Sequence, residues 1–541
     1  VAGDLELKYD NANKVYLSGG SLDYIDDFIF WTTIGEETNS YDSVESLNLD
    51  ASNEKFLLAD DRDTNTQLGY GCAIDGDYMI GGGPQDDEGA SQAGAAYIFK
   101  RSAGSWKQTA KLVASDAAAN DQAAEYVDIS GDYAIFGVYA RTSNTGAAYI
   151  FKRDTGAETW TQQSKLTASN AGSGDYFGWG VSIDGDYAIV GAKNEDTGGS
   201  NAGSAYIFVR SGTSWTQQAQ IQSDDIGASD YFGEDVGISG DYAAVSALYE
   251  DEGASDAGAA YVFKRSGTSW TQQAKLMASD IAASDEFGSA ISIDGDYVAV
   301  GSIHDDDNGT SSGSVYIFKK DDGAETWSQQ AKLTASDGAA SDEIGKVGSV
   351  HISGDIVIAG AQHADPGGVS SAGAAYVWKR SGTTWTEVKK LIAGNHITTD
   401  GRFGISVGVS GNTIVVGAGY EDVDGVEHAG VLHVYDPQLI KNYYINEVGK
   451  YSVDATIAGL KYKTNEVDVT SLNIPAKVVS VSAGYRSCAA LTEDGSVYMW
   501  GTGSSGFLGQ GSSDTNNKNT PVQVKGVDGV GFLSNIKQVS I

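Results

Sequence analysis

Short runs of hydrophobic residues alternate with polar residues along most of the chain, and the runs recur in a fixed order. Between Asp175 and Asp224 the order is GWGVSI, YAIVGA, SAYIFVR and SWTQQAQIQ, each run rich in β-branched or aromatic residues and bounded by turn residues. None of the four has the apolar spacing of an amphipathic helix. The pattern therefore predicts four short β-strands in this stretch.

The four-strand unit occurs seven times. Its marker is the glycine of a Gly-Asp or Gly-Asn pair between the first two strands, which recurs every 54 to 59 residues. The marker glycines are Gly76, Gly131, Gly185, Gly240, Gly295, Gly354 and Gly411. Repeated four-stranded antiparallel units are typical of a β-propeller. We predict an all-β fold in which residues 51–437 form a seven-bladed propeller of four-stranded antiparallel blades.

The seventh unit lacks a fourth strand of its own, because the chain passes from VLHVYDP into unrelated sequence. The missing strand is found before the first unit, where KFLLAD, starting at Lys55, aligns with KLVASD, starting at Lys111. Pairing an N-terminal strand with the last blade would remove two open sheet edges. We therefore predict that the N-terminal segment closes the ring.

Three further segments flank the repeats. We predict an N-terminal β segment at residues 1–50, a connecting β segment at residues 438–475 and a separate region at residues 476–541. The chain has no apolar run of about 18 residues, the length of a membrane-spanning helix. We expect no direct membrane insertion of these residues.

Charge narrows the choice of partners. Lys and Arg total 35 against 73 for Asp and Glu, a formal net charge of -38. Such a surface repels nucleic acid and anionic membranes and attracts cations. The two cysteines, Cys72 and Cys488, fall in different predicted domains, so no disulfide framework is expected.

A family resemblance rests on the dipeptide Phe-Gly. It occurs at Phe177-Gly178, Phe232-Gly233, Phe287-Gly288 and Phe403-Gly404, followed about a dozen residues later by VGA or a variant. These units resemble FG-GAP repeats, the blades of the integrin α-subunit propeller. The resemblance implies a binding or adhesion role. In that family the loop between the two inner strands often holds calcium, but here it has shrunk to Asp-Gly-Asp, so Asp184 and Asp186 are expected to serve the turn.

The C-terminal text carries a second resemblance. VVSVSAGYRSCAALTEDGSVYMWGTGSSGFLGQG, from Val478 to Gly511, resembles one repeat of the regulator of chromosome condensation family. The closing IKQVSI, from Ile536, is similar to the start of another unit. We expect the chain to be a module of a longer protein.

Acidic loops supply the candidate chemistry. The loops after the second and fourth strands share one face of the ring because consecutive strands are antiparallel, and many of them read like HDDDNG or EDVDG. Alternating carboxylates followed by glycine suit calcium, a hard cation with oxygen ligands. We predict that Asp305, Asp307, Asp422 and Asp424 contribute to calcium sites completed by neighbouring loops. The alternative is solvated loop charge, favoured by the short, non-acidic ARTSNTG loop of the second unit.

Catalytic motifs receive little support. The six histidines do not recur in register or at metal-ligand spacing. GISVG at Gly404 matches a hydrolase elbow pattern but lies on a predicted strand with no following helix. The fourth-strand tryptophans recur in six units, which favours blade packing over carbohydrate stacking.

The sequence predicts a non-enzymatic binding or adhesion propeller, extracellular or on a cell or particle surface, within a longer multidomain protein. Its acidic loop face is expected to recruit cations, a glycan or a protein partner, and no nucleic acid. One alternative is a structural, self-assembling subunit of a filament, appendage or virus-like particle. Another is a propeller enzyme with a site on the ring axis, against which the near-identity of the units argues.

Overall fold

The computed structural model of the chain describes the propeller almost continuously, over residues 54–102, 105–321, 323–394 and 397–436. Outside it, the described residues are 6–9, 15–18, 456–457, 460–461, 478–483, 487–492, 496–501 and 518–523. The chain divides into two compact units, Leu47–Pro437 and a second that joins Val1–Ser46 with Gln438–Ile541.

The unit Leu47–Pro437 contains seven four-stranded antiparallel sheets, which we number as blades 1 to 7. Blades 1 and 2 consist of Cys72–Asp75, Tyr78–Gly83, Ala95–Ser102 and Ser105–Leu112, then Val127–Ser130, Tyr133–Val138, Ala147–Asp154 and Thr159–Leu166. Blades 3 and 4 consist of Phe177–Asp184, Tyr187–Ala192, Ser204–Ser211 and Ser214–Ile221, then Phe232–Ser239, Tyr242–Ala247, Ala259–Ser266 and Ser269–Leu276.

The remaining blades follow the same order. Blades 5 and 6 consist of Phe287–Asp294, Tyr297–Ser302, Ser314–Lys320 and Trp327–Leu333, then Val350–Ser353, Ile356–Ala361, Ala374–Ser381 and Thr384–Leu391. Blade 7 consists of Ser406–Ser410, Thr413–Ala418, Val431–Tyr435 and Glu54–Leu57. Two short helical turns, Arg141–Asn144 and Pro366–Gly368, lie in loops. The all-β, seven-bladed prediction is confirmed.

The N-terminal strand closes the ring as predicted. Glu54–Leu57 pairs antiparallel with the third strand of blade 7, with Leu57 opposite Leu432. In blade 1 the residue at this position is Leu112, opposite Ala96. The alignment of Lys55 with Lys111 is therefore wrong by one residue, because the strand register places Phe56 at the position of Lys111.

The glycines of the repeat allow neighbouring blades to approach closely. Gly191 lies on the second strand of blade 3, and Gly233 follows the phenylalanine that opens blade 4. A Cβ added at Gly191 would lie 2.1 Å from the carbonyl oxygen of Gly233, and Gly233 itself has a φ of +93°. A larger residue at either position would push the two blades apart. The VGA-like motif of one blade and the Phe-Gly motif of the next therefore contact each other.

Hydrophobic cores lie between adjacent blades. Seven clusters of buried residues occur, one for each interface, including the interface between blades 7 and 1 that contains Leu57 and Leu432. The fourth-strand tryptophans belong to this packing. Trp215 contacts Tyr133 of the preceding blade edge-on at 5.8 Å and donates to Gln163 Oε1 at 2.8 Å.

Hydrogen bonds link the tight turns around the ring axis. Asp184, at the end of the first strand of blade 3, accepts a bond from the N–H of Gly240 in the turn of blade 4 at 2.7 Å. Ser410 of blade 7 accepts the equivalent bond from Gly76 of blade 1 at 3.0 Å. The first-strand aspartate therefore serves the turn of the next blade.

The second compact unit contains a six-stranded antiparallel sheet. In spatial order its strands are Val15–Ser18, Glu6–Tyr9, Val478–Ala483, Ser487–Thr492, Val497–Gly501 and Lys518–Gln523. The short strands Thr456–Ile457 and Leu460–Lys461 pair with each other. The pairing of Glu6–Tyr9 with Val478–Ala483 joins segments that the sequence analysis treated separately. Among all described residues, no helix is long and apolar enough to cross a membrane.

Candidate cation sites in the acidic loops

Three carboxylates from two loops meet in blade 5. Asp305 and Asp307 follow the second strand, and Asp280 lies in the loop that enters the blade from blade 4. One oxygen from each of the three lies within 4.8 Å of the others. Asp305 is buried, whereas Asp280 and Asp307 are exposed. The structure brings the predicted residues Asp305 and Asp307 together and adds Asp280, which the sequence analysis did not name.

An ammonium group lies among these carboxylates. Lys332, on the fourth strand of blade 5, places its Nζ 2.7 Å from an oxygen of each carboxylate, Asp280, Asp305 and Asp307. A lysine ammonium has three N–H donors, so each donor has one carboxylate partner. Lys332 thus supplies the positive charge that a bound metal ion would supply.

Hydroxyl groups complete the surroundings of Asp305. Tyr316 Oη donates to Oδ2 at 2.8 Å, and Ser314 Oγ donates to Oδ1 at 2.8 Å. Burial by itself would raise the pKa of Asp305, but the hydrogen bonds from Lys332, Tyr316 and Ser314 outweigh it and hold the pKa below its ordinary value. Asp305 is therefore held in its charged form.

The arrangement recurs in two other blades. In blade 4, Lys275 Nζ lies 2.7, 2.8 and 2.6 Å from oxygens of Asp225, Glu250 and Glu252. In blade 1, Lys111 Nζ lies 2.7, 2.9 and 2.8 Å from oxygens of Asp61, Asp86 and Glu88. We call these three clusters, with that of blade 5, the lysine-carboxylate groups. In each group a buried acid is flanked by two exposed ones.

Blade 3 lacks the lysine and also lacks two of the carboxylates. Gln220 takes the place of the lysine, and Asn170 and Thr197 take the places of the exposed acids, while the buried acid remains as Glu195. Asn170 Nδ2 and Thr197 Oγ1 donate to Glu195 Oε1 at 2.8 and 2.5 Å. The cation and the extra anions are lost together, which indicates that they are electrostatic partners of one another.

Blade 7 uses histidine instead. His433 Nδ1 lies 2.8 Å from Glu54 Oε1, and His433 Nε2 lies 2.8 Å from Glu421 Oε2. The side chains of His433, Glu54 and Glu421 are 0, 4 and 2% exposed. Burial would lower the pKa of His433, but its bonds to Glu421 and Glu54 outweigh burial and raise the pKa above its ordinary value. The two glutamates therefore favour the protonated form of His433, which joins the closing strand to the last blade.

Asp422 and Asp424 lie in different positions from Asp305 and Asp307. Asp422 Oδ1 accepts a bond from His428 N at 2.8 Å, the same turn bond that Asp306 accepts from Ser311 N at 2.6 Å. Asp424 is exposed and forms an ion pair with Arg62 at 2.8 Å. Within the part of the chain that the structure describes, neither belongs to a group of three potential metal ligands.

The sequence analysis expected neighbouring loops to complete the sites but named neither Lys332 nor Asp280. Both residues had a signal in the repeat. Lysine recurs at this position of the fourth strand in five blades, as Lys111, Lys165, Lys275, Lys332 and Lys390. An aspartate follows five residues later in three of them, as Asp116, Asp280 and Asp337. The loop acid then pairs with the lysine of the next blade.

The chemistry of the donor set fits a hard cation. Calcium takes about six to eight oxygen ligands at roughly 2.3–2.6 Å, and carboxylates and hydroxyls are suitable ligands. In blade 5, however, the ammonium of Lys332 lies where the three carboxylates converge. Calcium and this ammonium cannot share the position, so a metal ion would have to displace the lysine.

Comparison with known proteins shows which family the repeats of this chain match. A family model described as FG-GAP repeat matches the chain seven times, over residues 52–99, 106–151, 160–208, 215–263, 270–318, 327–378 and 385–435. Models described as Regulator of chromosome condensation repeat match residues 478–506 and 494–541. Both resemblances predicted from the sequence are confirmed.

Among solved structures, one similar chain is a Bacteroides uniformis protein described as a candidate 6-phosphogluconolactonase. It is 13% identical, with a TM-score of 0.40, and the match covers 61% of this chain and 86% of that one. A likeness at this level carries no argument about function. The seven repeat matches, in contrast, span more than half of the sequence and coincide with the seven blades. The chain belongs to the FG-GAP repeat family, whose propeller fold is of the binding and adhesion type.

Proposed function

We propose that this propeller is a non-enzymatic binding module of an extracellular, cell or particle surface, and that its acidic loop face recruits cationic partners, either basic segments of proteins or metal ions. The observation that carries the proposal is the surplus of negative charge in the lysine-carboxylate groups. Each group holds three carboxylates against one ammonium. The lysine fixes the geometry of the carboxylates without neutralising all of them.

The turn acids extend this charge in a fixed arrangement. Asp87, Asp251 and Asp306 are exposed, and each has one carboxylate oxygen bonded to a backbone N–H of its own loop, at 2.7, 2.8 and 2.6 Å. Because these side chains are already ordered, a partner would not have to order them on binding. A rigid anionic face favours rapid association with cationic ligands and a strong dependence on salt.

Binding of a labelled oligolysine peptide to the full chain tests this proposal. The test variant neutralises the exposed acids of three groups, by Glu88→Gln, Glu252→Gln and Asp307→Asn. We expect the variant to bind several-fold more weakly and with a shallower dependence on salt concentration, since fewer charges act on the peptide.

A matched control removes the same number of charges elsewhere. Asp77→Asn, Glu158→Gln and Glu325→Gln neutralise exposed acids of the tight turns, on the opposite side of the blades. The control variant should bind the peptide nearly as well as the unmodified chain. Equal loss of binding in both variants would show that overall charge, and not the loop face, attracts the peptide. Proteolytic shaving of intact cells, followed by mass spectrometry, tests the surface location.

A further inference from the structure

Blade 6 keeps the lysine of a lysine-carboxylate group but has only one acid beside it. Lys390, on the fourth strand, places its Nζ 2.8 Å from Asp337, which lies in the loop that enters the blade. Within the part of the chain that the structure describes, no other carboxylate forms an ion pair with this ammonium. Two of its three N–H donors therefore have no carboxylate partner.

Comparison with blade 5 identifies the two missing acids. The loop after the second strand reads HDDD in blade 5 and HADP in blade 6. Ala364 thus takes the place of the buried Asp305, and Pro366 takes the place of Asp307. In blade 3 the lysine is lost together with the exposed acids, whereas blade 6 has lost acids and kept the lysine. The retained lysine indicates that its partners come from outside the blade.

The remaining charged residues of the two loops are the same in both blades. The loop that enters the blade reads SDIAASDEFG in blade 5 and SDGAASDEIG in blade 6. In blade 6, Asp342 and Asp365 each accept a backbone N–H of their own loop, at 2.8 and 2.7 Å, and Glu343 lies 3.4 Å from His363. The equivalent contacts of blade 5 are 2.9, 2.6 and 3.3 Å. Within these loops the blades differ in charge only by the two missing carboxylates.

A cavity of about 540 Å³ lies beside Lys390. Ala364 and Pro366, the residues that replace the two acids, belong to its lining together with Asp337. The side chain of Lys390 is 28% exposed, against 16% for Lys332 in blade 5. Volumes of roughly 300–1,000 Å³ are typical of small-molecule sites. The ammonium is therefore accessible to a small ligand that enters this cavity.

The carboxylates in the lining do not exclude an anionic ligand. There are four of them, and each already has a cation or an N–H donor of its own: Asp337, Asp342, Glu343 and Asp365. Blade 5 has the equivalent four and holds two more carboxylates against the same single lysine. With a Debye length of about 8 Å at physiological ionic strength, the more distant acidic surface is largely screened. The local arrangement thus accommodates two further negative charges.

We propose that the cavity of blade 6 binds a small dicarboxylate, which supplies the two carboxylates that blade 5 takes from its own loop. Each ligand carboxylate accepts one of the two remaining N–H donors of Lys390, and the apolar surfaces of Ala364 and Pro366 contact the carbon chain between them. A monocarboxylate replaces only one of the missing acids, and a cationic ligand is repelled by the ammonium. The site is independent of the role proposed for the loop face, because it attracts the opposite charge.

Titration of the full chain with succinate at constant ionic strength, followed by saturation-transfer NMR of the ligand, tests the inference. We expect saturable binding that is roughly fivefold tighter than that of acetate, as one additional exposed ion pair would give. A diamine of the same length should not compete for the site. Because an exposed site of this kind binds weakly, the titration extends to millimolar concentrations.

Three variants locate the binding site. Lys390→Met removes the ammonium and should abolish saturable binding of succinate. The double variant Ala364→Asp and Pro366→Asp restores the acids of blade 5, so it should also lose succinate binding while its melting temperature is no lower. The matched control is Lys107→Met, which removes an exposed lysine from the fourth strand of blade 1 and should leave succinate binding unchanged.

The outcomes separate this site from the loop face and from acidic proteins. The inference is wrong if succinate does not saturate, or if it binds Lys390→Met or the double variant as tightly as the unmodified chain. A blocked peptide with two adjacent aspartates is titrated in parallel, and tighter binding of the peptide than of succinate would overturn the assignment to a free diacid. Lys390→Met should bind oligolysine at least as well as the unmodified chain, so failure of either proposal leaves the other testable.

Discussion

Blades 5 and 7 each bury an acid at the same loop position but neutralise it with different cations. In blade 5, Asp305 bonds to the ammonium of Lys332, which reaches it from the fourth strand of the same blade. In blade 7, Glu421 bonds to the imidazole of His433, which also bonds to Glu54 on the closing strand. The lysine is a permanent cation, whereas the histidine is a cation only when protonated. The comparison shows that lysine and histidine can each supply the cation for the buried acid, whereas blade 3 keeps its buried acid, Glu195, with neutral donors instead.

Lys332 and His433 differ in which segments of the chain they connect. Lys332 ties together loops within a continuous run of the chain, but His433 connects residues 379 positions apart. Blade 7 thus carries a buried ion pair at the one place where the ring is closed by a distant segment. Breaking that pair removes both a charge partner and a link between the two ends of the propeller.

The largest effect is expected from removing the histidine. His433→Leu leaves Glu54 and Glu421 buried without a cation, and breaking a buried ion pair by removing one partner costs about 3–5 kcal/mol. We expect a loss of this size in the free energy of unfolding at neutral pH, measured by urea titration with tryptophan fluorescence. Because blade 7 contains the closing strand, limited proteolysis should cut near residue 54 before other sites.

The control introduces the tyrosine and the lysine of blade 5 at the equivalent positions of blade 7. Phe56 occupies the position of the fourth-strand lysine, and His433 occupies the position of the third-strand tyrosine. The double variant His433→Tyr and Phe56→Lys should recover most of the stability that His433→Leu loses. If the double variant is as unstable as the single one, the two blades are not equivalent in the way we describe.

A smaller loss is expected in blade 5, together with a gain of metal binding. Lys332→Met removes the cation from three carboxylates, two of which are exposed, so we expect a cost of about 1–3 kcal/mol. The same variant leaves the convergence point of three carboxylates open to a divalent ion. Millimolar calcium should therefore raise the melting temperature of Lys332→Met more than that of the unmodified chain, because a ligand that binds only the folded state stabilises it.

The matched control for the calcium experiment is Lys332→Met combined with Asp305→Asn and Asp307→Asn, which removes two of the three ligands. This triple variant should show no calcium-specific shift beyond that of magnesium. A calcium shift of equal size in the unmodified chain and in Lys332→Met would mean that the ion binds elsewhere and that the lysine does not compete with it.

A still smaller effect is expected when the free energy of unfolding is measured as a function of pH, because only the histidine of blade 7 and not the lysine of blade 5 titrates near neutral pH. The pKa of His433 is raised in the folded protein, so its stabilising contribution is complete below its ordinary pKa of about 6.5 and is lost as pH rises through the raised value. The loss grows by about 1.4 kcal/mol for each pH unit within that interval only. The unmodified chain should therefore become less stable as pH rises through this interval.

Other buried groups must be separated from the histidine in this scan. Burial raises the pKa of Asp128 to about 6 and of Asp235 to about 7, so both also reduce stability as pH rises towards neutrality. The double variant His433→Tyr and Phe56→Lys keeps these carboxyls but lacks the histidine. It should lose less stability than the unmodified chain as pH rises from about 6.5 through the raised pKa of His433. Identical curves would show that His433 is not the titrating group.

The fold was predictable because every blade repeats the same local signals. The strand pattern, the Gly-Asp turn and the missing fourth strand of the last unit all follow from residues that are close in sequence, and the structure confirms them. The strand register of the closing segment was wrong by one residue because KFLLAD and KLVASD share their first and last letters, whereas the pairing of Leu57 with Leu432 aligns Leu57 with Leu112.

The candidate sites were predictable only in part. Asp305 and Asp307 converge as expected, but their third acid and their cation come from other elements, which a pattern within one loop cannot show. Asp422 was matched to Asp305 by spacing, although the loop of blade 7 has a glutamate, Glu421, at the buried position. The turn bond of Asp422 depends on the backbone geometry of the loop and not on its composition.

The smallest effect is expected in blade 3, where the lysine-carboxylate group is absent. The double variant Asn170→Asp and Gln220→Lys restores a lysine and one exposed acid beside Glu195 without changing the net charge. Exposed ion pairs contribute about 0.2–1 kcal/mol, so we expect a gain of that order in the free energy of unfolding. Asn170→Asp alone should instead be destabilising, because it replaces the amide that donates to Glu195 at 2.8 Å with a second carboxylate. If the single and double variants have the same stability, lysine and acid are not coupled in these blades, and their joint replacement in blade 3 has another origin.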